Sequence, residues 1–304
     1  MYWLPIALIA PIVWAIVNHI DKYLLERYFQ SKNVGSLFIY SSLTGILLAG
    51  VALFFEPAVF VVSFGNIVVL LSIGILIGAA ILAYLCALAK EEATLVAPIF
   101  QLIPFFGYVL AFFILGESLA MVQIFAGLLI IGGSMILSLE IEEDQRLRPK
   151  WNLMGIMLIS AILHAVHEVV FKLVAQAASF WPSIFWSSMG LFLTGVAALI
   201  LMPAYRDVFL SSLRKNGAKI IAINLFSETL NLGGGLAILY AIMLAPVAIV
   251  QTTTAYQPLI VFIIGIALTV FFPKIAKERI STKHLVHKSL AIGVILIGSV
   301  LLYK

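Results

Sequence analysis

Charge is scarce in this chain. Asp, Glu, Lys and Arg make up 11% of its 304 residues, less than half the roughly 25% of a soluble domain. The apolar residues, 63% of the total, exceed what a water-soluble fold of this length can hide, so a soluble enzyme is excluded. Cysteine is nearly absent: Cys86 stands alone, which rules out an internal disulfide and leaves the compartment open. No G-x-x-x-x-G-K-[ST] loop is present, so ATP has no phosphate cradle. Neither H-E-x-x-H nor G-x-S-x-G occurs, which leaves a membrane-embedded hydrolase without its metal or nucleophile and argues against an enzyme. A net charge of +4 does not point to nucleic acid, because the basic residues sit in short stretches between apolar runs and suit lipid headgroups instead.

Long apolar runs are what the sequence has. At roughly 20 apolar residues per crossing, its composition furnishes nine or ten spans. The runs fall at about 4–25, 35–55, 67–89, 94–115, 119–139, 152–174, 182–202, 218–244, 248–272 and 286–303. They are continuous rather than alternating with period two, which excludes a β-barrel. The expected fold class is therefore an all-α membrane protein of ten transmembrane helices. The first run lacks a basic leader and an A-x-A site, so it is expected to be a retained span.

The segment EIEEDQRLRPK at 140–150 is the most polar in the chain and predicts a linker at 140–151 between units 1–139 and 152–304. The two units share letters in order. Trp14-Ala15 followed by Lys22 matches His164-Ala165 followed by Lys172, and Ser41-Ser42 matches Ser187-Ser188. Tyr84 with Leu88-Ala89 matches Tyr240 with Leu244-Ala245, and Gln101 matches Gln257. Gly127, Gly132 and Ser134 match Gly293, Gly298 and Ser299. Five spans per unit is an odd number, so a duplicated chain has two inverted five-helix repeats related by an axis in the membrane plane.

Basic residues concentrate in cytoplasmic loops. Of the 18 here, all but Lys172 and Lys304 fall on one side of the predicted layout, which places both termini on the outer side of a multi-pass protein of the plasma (inner) membrane.

These features resemble the EamA-type members of the drug/metabolite transporter superfamily. The resemblance lies in Trp14-Ala15…Lys22, in Ala97-Pro98…Pro104, and in the Gly116-Glu117 turn followed by Gln123 and Gly127…Gly132. It implies an exporter of small metabolites, with a central cavity between spans 1–4 and 6–9 and with spans 5 and 10 peripheral. It also implies cytoplasmic termini, opposite to the charge count. The second unit departs from the pattern, having a basic loop Phe272-Pro273-Lys274…Lys277-Glu278-Arg279 in place of the Gly-Glu turn.

Ionisable or amide groups inside apolar spans are costly unless they face a cavity or a partner, which makes them candidate binding residues. The sixth span carries His164, His167, Glu168 and Lys172; positions 164, 168 and 172 share a helix face. Histidine titrates near neutral pH and suits proton coupling; the alternative reading has Glu168 only neutralise Lys172. A zinc site at these residues has the wrong spacing. The eighth span carries Asn224, Glu228 and Asn231 on one face, with Glu228 readable as a protonated acid, a partner of Lys22 or Lys172, or a ligand for a cationic substrate. Gly233-Gly234-Gly235 follows, readable as a hinge or as close packing. Thr252, Thr253 and Thr254 fit back-bonding to their own helix, while Tyr256, Gln257 and Pro258 fit a discontinuous helix at a site. In the first unit Trp14, Asn18, Tyr84 and Gln101 are the matching candidates. Asp21 and Lys22 are expected at a solvated boundary, and Trp3, Trp151 and Trp181 at the headgroup level.

The function expected is a secondary transporter or exporter of a small metabolite, an amino acid or other small polar solute, working by alternating access. Protons are the candidate coupling ion, no cofactor is expected, and the partners are the small-molecule substrate and the lipid bilayer. A flippase for a lipid-linked substrate is the alternative, with a divalent-metal transporter behind it. Gly74 and Gly78 suit helix packing within or between chains, which leaves the oligomeric state open.

Overall fold

The structure, a computed structural model, describes residues 2–28, 34–117, 120–137, 139–141, 147–149, 151–272 and 282–302. Lys32, the charged linker residues 142–146, Lys150, the basic loop from Pro273 to Ser281 and Lys304 lie outside the described residues, as do the side chains of Gln123 and Ser134.

The described chain is almost wholly helical, as continuous apolar sequence in a hydrocarbon solvent requires: only a helix satisfies every backbone group within one segment. In the first half, α1 is Trp3–Arg27, α2 Gly35–Leu43, α3 Gly45–Phe55 and α4 Phe64–Leu88. Then come α5 Ala93–Val96, α6 Leu102–Leu115 and α7 Met121–Leu137. After a short hairpin, α8 is Trp151–Ala178, α9 Phe180–Leu201, α10 Pro203–Leu244, α11 Val247–Gln251, α12 Tyr256–Phe271 and α13 Thr282–Leu302. Among the described residues, nine helical segments are long and apolar enough to cross a membrane. At 17 residues, α7 is a little shorter, rising about 26 Å at 1.5 Å per residue.

Local chemistry sets several boundaries. The Ser63 hydroxyl accepts from the Asn66 amide at the start of α4, an N-cap. Gly116 ends α6 with φ +70°, the left-handed conformation glycine adopts without penalty. The Thr44 hydroxyl donates to the Ser41 carbonyl at 2.6 Å, where the second run divides into α2 and α3. The linker contains a small antiparallel pair, β1 Leu139–Ile141 with β2 Leu147–Pro149, in the register Leu139 to Pro149.

One boundary differs from the sequence expectation. The basic stretch 206–219 is not a loop: α10 begins at Pro203 and runs 42 residues to Leu244. Charged residues are good helix formers outside the hydrocarbon, and Pro203 at the first position suits a helix start.

The packing is inverted in polarity relative to a soluble fold. Phe54, Phe64, Phe113, Phe125, Ile263 and Leu290 point outward, whereas Asn18, Asp21, Glu168, Glu228, Gln251 and Gln257 are buried. That distribution belongs to a multi-pass membrane protein. Helix α1 packs on α10 and α12, α4 on α8 and α9, α3 on α9, α6 on α8, and α7 on α13. Helices α4 and α9 touch backbone to backbone: a Cβ on Gly74 would stand 2.0 Å from the Ser187 carbonyl, and one on Gly190 2.2 Å from that of Leu71. The Gly74–Gly78 motif therefore packs within the chain, Gly78 lying against Thr194.

Candidate functional site

Two helices break where they reach the centre. The fourth run passes from α5 through a 3₁₀ turn at Ala97–Gln101 into α6, and the ninth from α11 through a 3₁₀ turn at Thr252–Ala255 into α12. Pro98 and Pro258 lie at these breaks, and proline removes a backbone donor and frees the carbonyl one turn back. The freed polar groups need partners. The Gln101 amide donates to the Thr254 carbonyl at 2.8 Å and joins the two breaks. Thr253 and Thr254 donate to Val250 and Gln251 carbonyls at 2.8 Å, the back-bonding expected of threonine in a helix.

Beside these breaks lies a cavity of about 110 Å³ lined by α1, α2, α4, α6, α8, α10, α11 and α12. Trp14, Asn18 and Asp21 project into it from one stripe of α1, Tyr84 from α4, His164 and Glu168 from α8, Glu228 and Asn231 from α10, and Gln257 from α12. A second space of about 150 Å³ shares Trp14, Ile81, His164, Glu168 and Asn231 with the first, and extends to His167, Ser187 and Ser188.

The polar lining is hydrogen-bonded in series. Gln257 donates to the side-chain Oδ1 of Asn18 at 2.9 Å, Asn18 to the Tyr84 hydroxyl at 2.8 Å, and Tyr84 to Asp21 at 3.2 Å. Ser227 donates to the other Asp21 oxygen at 3.2 Å. Glu228 accepts from Ser41 and from Asn231 at 3.3 Å, while Trp14 donates to the Asn231 carbonyl at 3.4 Å. Glu168 accepts from Gln251. His164 Nδ1 lies 2.8 Å from the Ser160 carbonyl, and His167 Nε2 lies 3.1 Å from the Ser187 hydroxyl. Each of these carboxyl groups accepts hydrogen bonds from neutral side chains, at least one of them from another helix.

Eight of the candidates read from sequence, Trp14, Asn18, Tyr84, His164, Glu168, Glu228, Asn231 and Gln257, line the first cavity, and His167 lines the second. Four do not. Lys172 lies one turn beyond Glu168 but bonds Glu117 at 3.5 Å and the Ala245 carbonyl at 3.0 Å, because its long stem carries the ammonium to the helix end. Neither Glu168 nor Glu228 therefore has a lysine partner. Gln101 is consumed in joining the two breaks. Asn224 donates to the Ile220 carbonyl of its own helix at 3.0 Å. Tyr256 faces outward, 48% exposed, since it directly precedes the cavity-facing Gln257 in α12 and adjacent helical side chains point about 100° apart.

Asp21 is the reverse correction. Expected at a solvated boundary, it is 6% exposed and lines the cavity. Its spacing of seven from Trp14 and three from Asn18 was the available signal, obscured by Lys22 beside it. Ser41, Gln251 and Thr254 also line the cavity without having been singled out as binding residues. The glycine triplet forms no break: α10 is continuous through it, and Gly234 takes the Trp14 ring, whose Nε1 lies 2.8 Å from where a Cβ would stand. Among the described residues no group of three His, Cys, Asp or Glu side chains is placed to hold a metal ion.

Residues 1–139 match the model of the EamA-like transporter family, which lies within the drug/metabolite transporter superfamily. The match covers the half that contains Trp14-Ala15…Lys22 and Ala97-Pro98…Pro104. No curated protein matches the chain. A solved crystal structure described only as that of a protein superposes with a TM-score of 0.51 at 14% identity, covering 96% of this chain and 95% of that one. A likeness at that identity concerns the fold alone.

Proposed function

We propose, starting from an EamA-like transporter unit at residues 1–139, that the chain is a secondary transporter of a small polar solute in the plasma (inner) membrane. Ten spans form two inverted repeats, 1–139 and 152–304, joined by the linker at 140–151. The solute binds in the central cavity and passes by alternating access, with protons as the coupling ion.

The observation that carries this reading is a polar, hydrogen-bonded cavity built by buried residues of both halves at two broken helices. An embedded site of that kind is what transporters use and what a structural bundle has no need of. The inverted repeat is supported by reciprocal contacts. Helix α1 packs on α10 as α8, its counterpart, packs on α4. A Cβ on Gly133 would meet Ile295 and the Ala291 carbonyl, and one on Gly298 would meet Ile130 and the Ala126 carbonyl. Each set lies three and seven residues before the partner glycine, the pattern of a two-fold axis. These contacts pair α7 with α13, which the proposal counts as peripheral fifth and tenth spans.

Asp21, Glu168, Glu228 and the two histidines are the groups able to carry a proton. The test is substrate flux in proteoliposomes under an imposed pH gradient. Glu228→Gln is expected to abolish coupled flux while the purified protein keeps its melting profile. Full coupled transport by this variant removes Glu228 from the mechanism.

A further inference from the structure

We infer that the cavity selects an organic cation, an amine or quaternary ammonium bearing apolar groups, and rejects anions and zwitterions; this rests on the transporter reading above.

Among the described residues, the lining of the two adjoining spaces contains three carboxyl groups, Asp21, Glu168 and Glu228, and no lysine or arginine. Ser227 bonds Asp21 and immediately precedes Glu228, so two of the three are neighbours. Every hydrogen-bond donor to these carboxylates is neutral: Ser227, Tyr84, Ser41, Asn231 and Gln251. Neutral donors satisfy lone pairs but bring no positive charge, so a carboxylate that ionises in this low-dielectric enclosure is expensive without a cation beside it. A bound cation supplies the compensation.

The two lysines nearest in sequence are committed elsewhere. Lys22 donates to the Leu88 carbonyl at 3.0 Å and pairs with Glu26 at 3.2 Å. Lys172 donates to the Ala245 carbonyl and pairs with Glu117. A substrate carboxylate would thus enter an acidic space with no cation to receive it, which disfavours an amino acid despite the acidic, basic and amide groups its helices carry. Among the described lining residues, His164 and His167 are the ionisable nitrogens; each already faces an oxygen, of Ser160 and Ser187 respectively.

Aromatic groups complete the argument. Trp14, Tyr84 and Phe100 line the same cavity as the carboxylates, with the Tyr84 and Phe100 rings 5.2 Å apart. Ring faces attract cations at about 6 Å or less and do so more strongly when desolvated. Carboxylates with aromatic walls suit an ammonium carrying an apolar body, and the amides of Asn18, Asn231 and Gln257 leave room for a hydroxyl or carbonyl on it.

The experiment uses the purified full-length protein and three probes of similar size: benzyltrimethylammonium, phenylalanine and benzoate. Thermal shift and equilibrium binding are measured for each, since a ligand bound to the folded state raises its melting temperature. The expected result is saturable stabilisation by the ammonium alone. Asp21→Asn, Glu168→Gln and Glu228→Gln should each weaken that binding roughly thirtyfold or more, the loss for one member of a buried charge pair. Glu228→Asp keeps the charge and should retain most of the affinity, which separates loss of charge from loss of fold. Stabilisation by phenylalanine or benzoate instead, ammonium affinity indifferent to all three neutralising variants, or no binding of the ammonium at all would each overturn the inference. The transporter reading is scored separately, by flux in proteoliposomes. Ammonium binding without flux sinks that reading and leaves the cation site standing, whereas carboxylate-dependent flux of an anion or zwitterion does the opposite.

Discussion

Lys172 donates to the carbonyl of Ala245 at 3.0 Å and so fastens the middle of the molecule to the end of α10 rather than to the substrate space. Lys22, its counterpart in the proposed first repeat, makes the same bond to Leu88 at the end of α4, also at 3.0 Å. In each case a cation meets the unsatisfied carbonyls at a helix C-terminus, where the helix dipole favours positive charge. The four residues form two matched fastenings, one between α1 and α4 and one between α8 and α10, the first and third spans of each proposed repeat.

Replacing Lys172 by Met should therefore lower stability without altering the binding site. The Glu117 carboxylate and the Ala245 carbonyl would both lose their donor, at a cost of about 2–3 kcal/mol. The purified variant should melt earlier yet bind ligand with unchanged affinity when assayed below its transition. Adding Glu117→Gln should restore part of the loss. Reduced affinity with an unchanged melting temperature would return Lys172 to the substrate site.

The contact of α4 with α9 leaves no room for a side chain. Gly74→Leu must separate two backbones that approach within van der Waals distance, at a cost of roughly 1–3 kcal/mol or more. Gly65, at the start of α4, has nothing within 4 Å of where a Cβ would stand. Gly65→Ala should leave thermal stability unchanged and serves as the control. Equal melting temperatures for the two variants would contradict the close packing.

Orientation is open to a direct measurement. Sixteen of the 18 basic residues fall on one side of the proposed layout, so the basic loops should be cytoplasmic and both termini outside. Reporter fusions at each terminus should be active when the reporter needs an oxidising, external environment. Activity only in a cytoplasmic reporter would reverse the assignment and agree with the orientation the family resemblance implies.

Helix positions were legible because hydrocarbon tolerates almost nothing else: among the described residues nine of the runs reappear as segments long and apolar enough to cross a membrane, with ends shifted by a few residues, α10 excepted, and the fifth as the 17-residue α7. In α10 the basic stretch 206–219 looked like a loop because its charges mark the water, and helices extend into water freely. Much of the site was legible for the opposite reason, since Glu168, Glu228 and Asn18 are too polar for their surroundings to be incidental. Asp21 was misread because a carboxylate beside a lysine near a span end looks solvated. Lys172 was misread because helical spacing places a Cα but not the end of a four-carbon stem. Tyr256 was misread because adjacent residues of one α-helix point about 100° apart, so Tyr256 and Gln257 of α12 do not share a face.

Scarcity of charge alone determined the class of protein, since 11% charged residues over 304 leave no soluble alternative, and alternation of apolar runs with charge determined where the helices lie. Which charges share a space was decided only by the tertiary structure. Asp21, Glu168 and Glu228 come from three helices distant in sequence and meet in one cavity, while both nearby lysines turn away to cap helix ends. That sorting depends on the crossing of α1, α8 and α10 and on side-chain reach, neither of which is a property of any single segment. It turned a cavity that looked suited to a zwitterion into an acidic, aromatic-walled one suited to a cation.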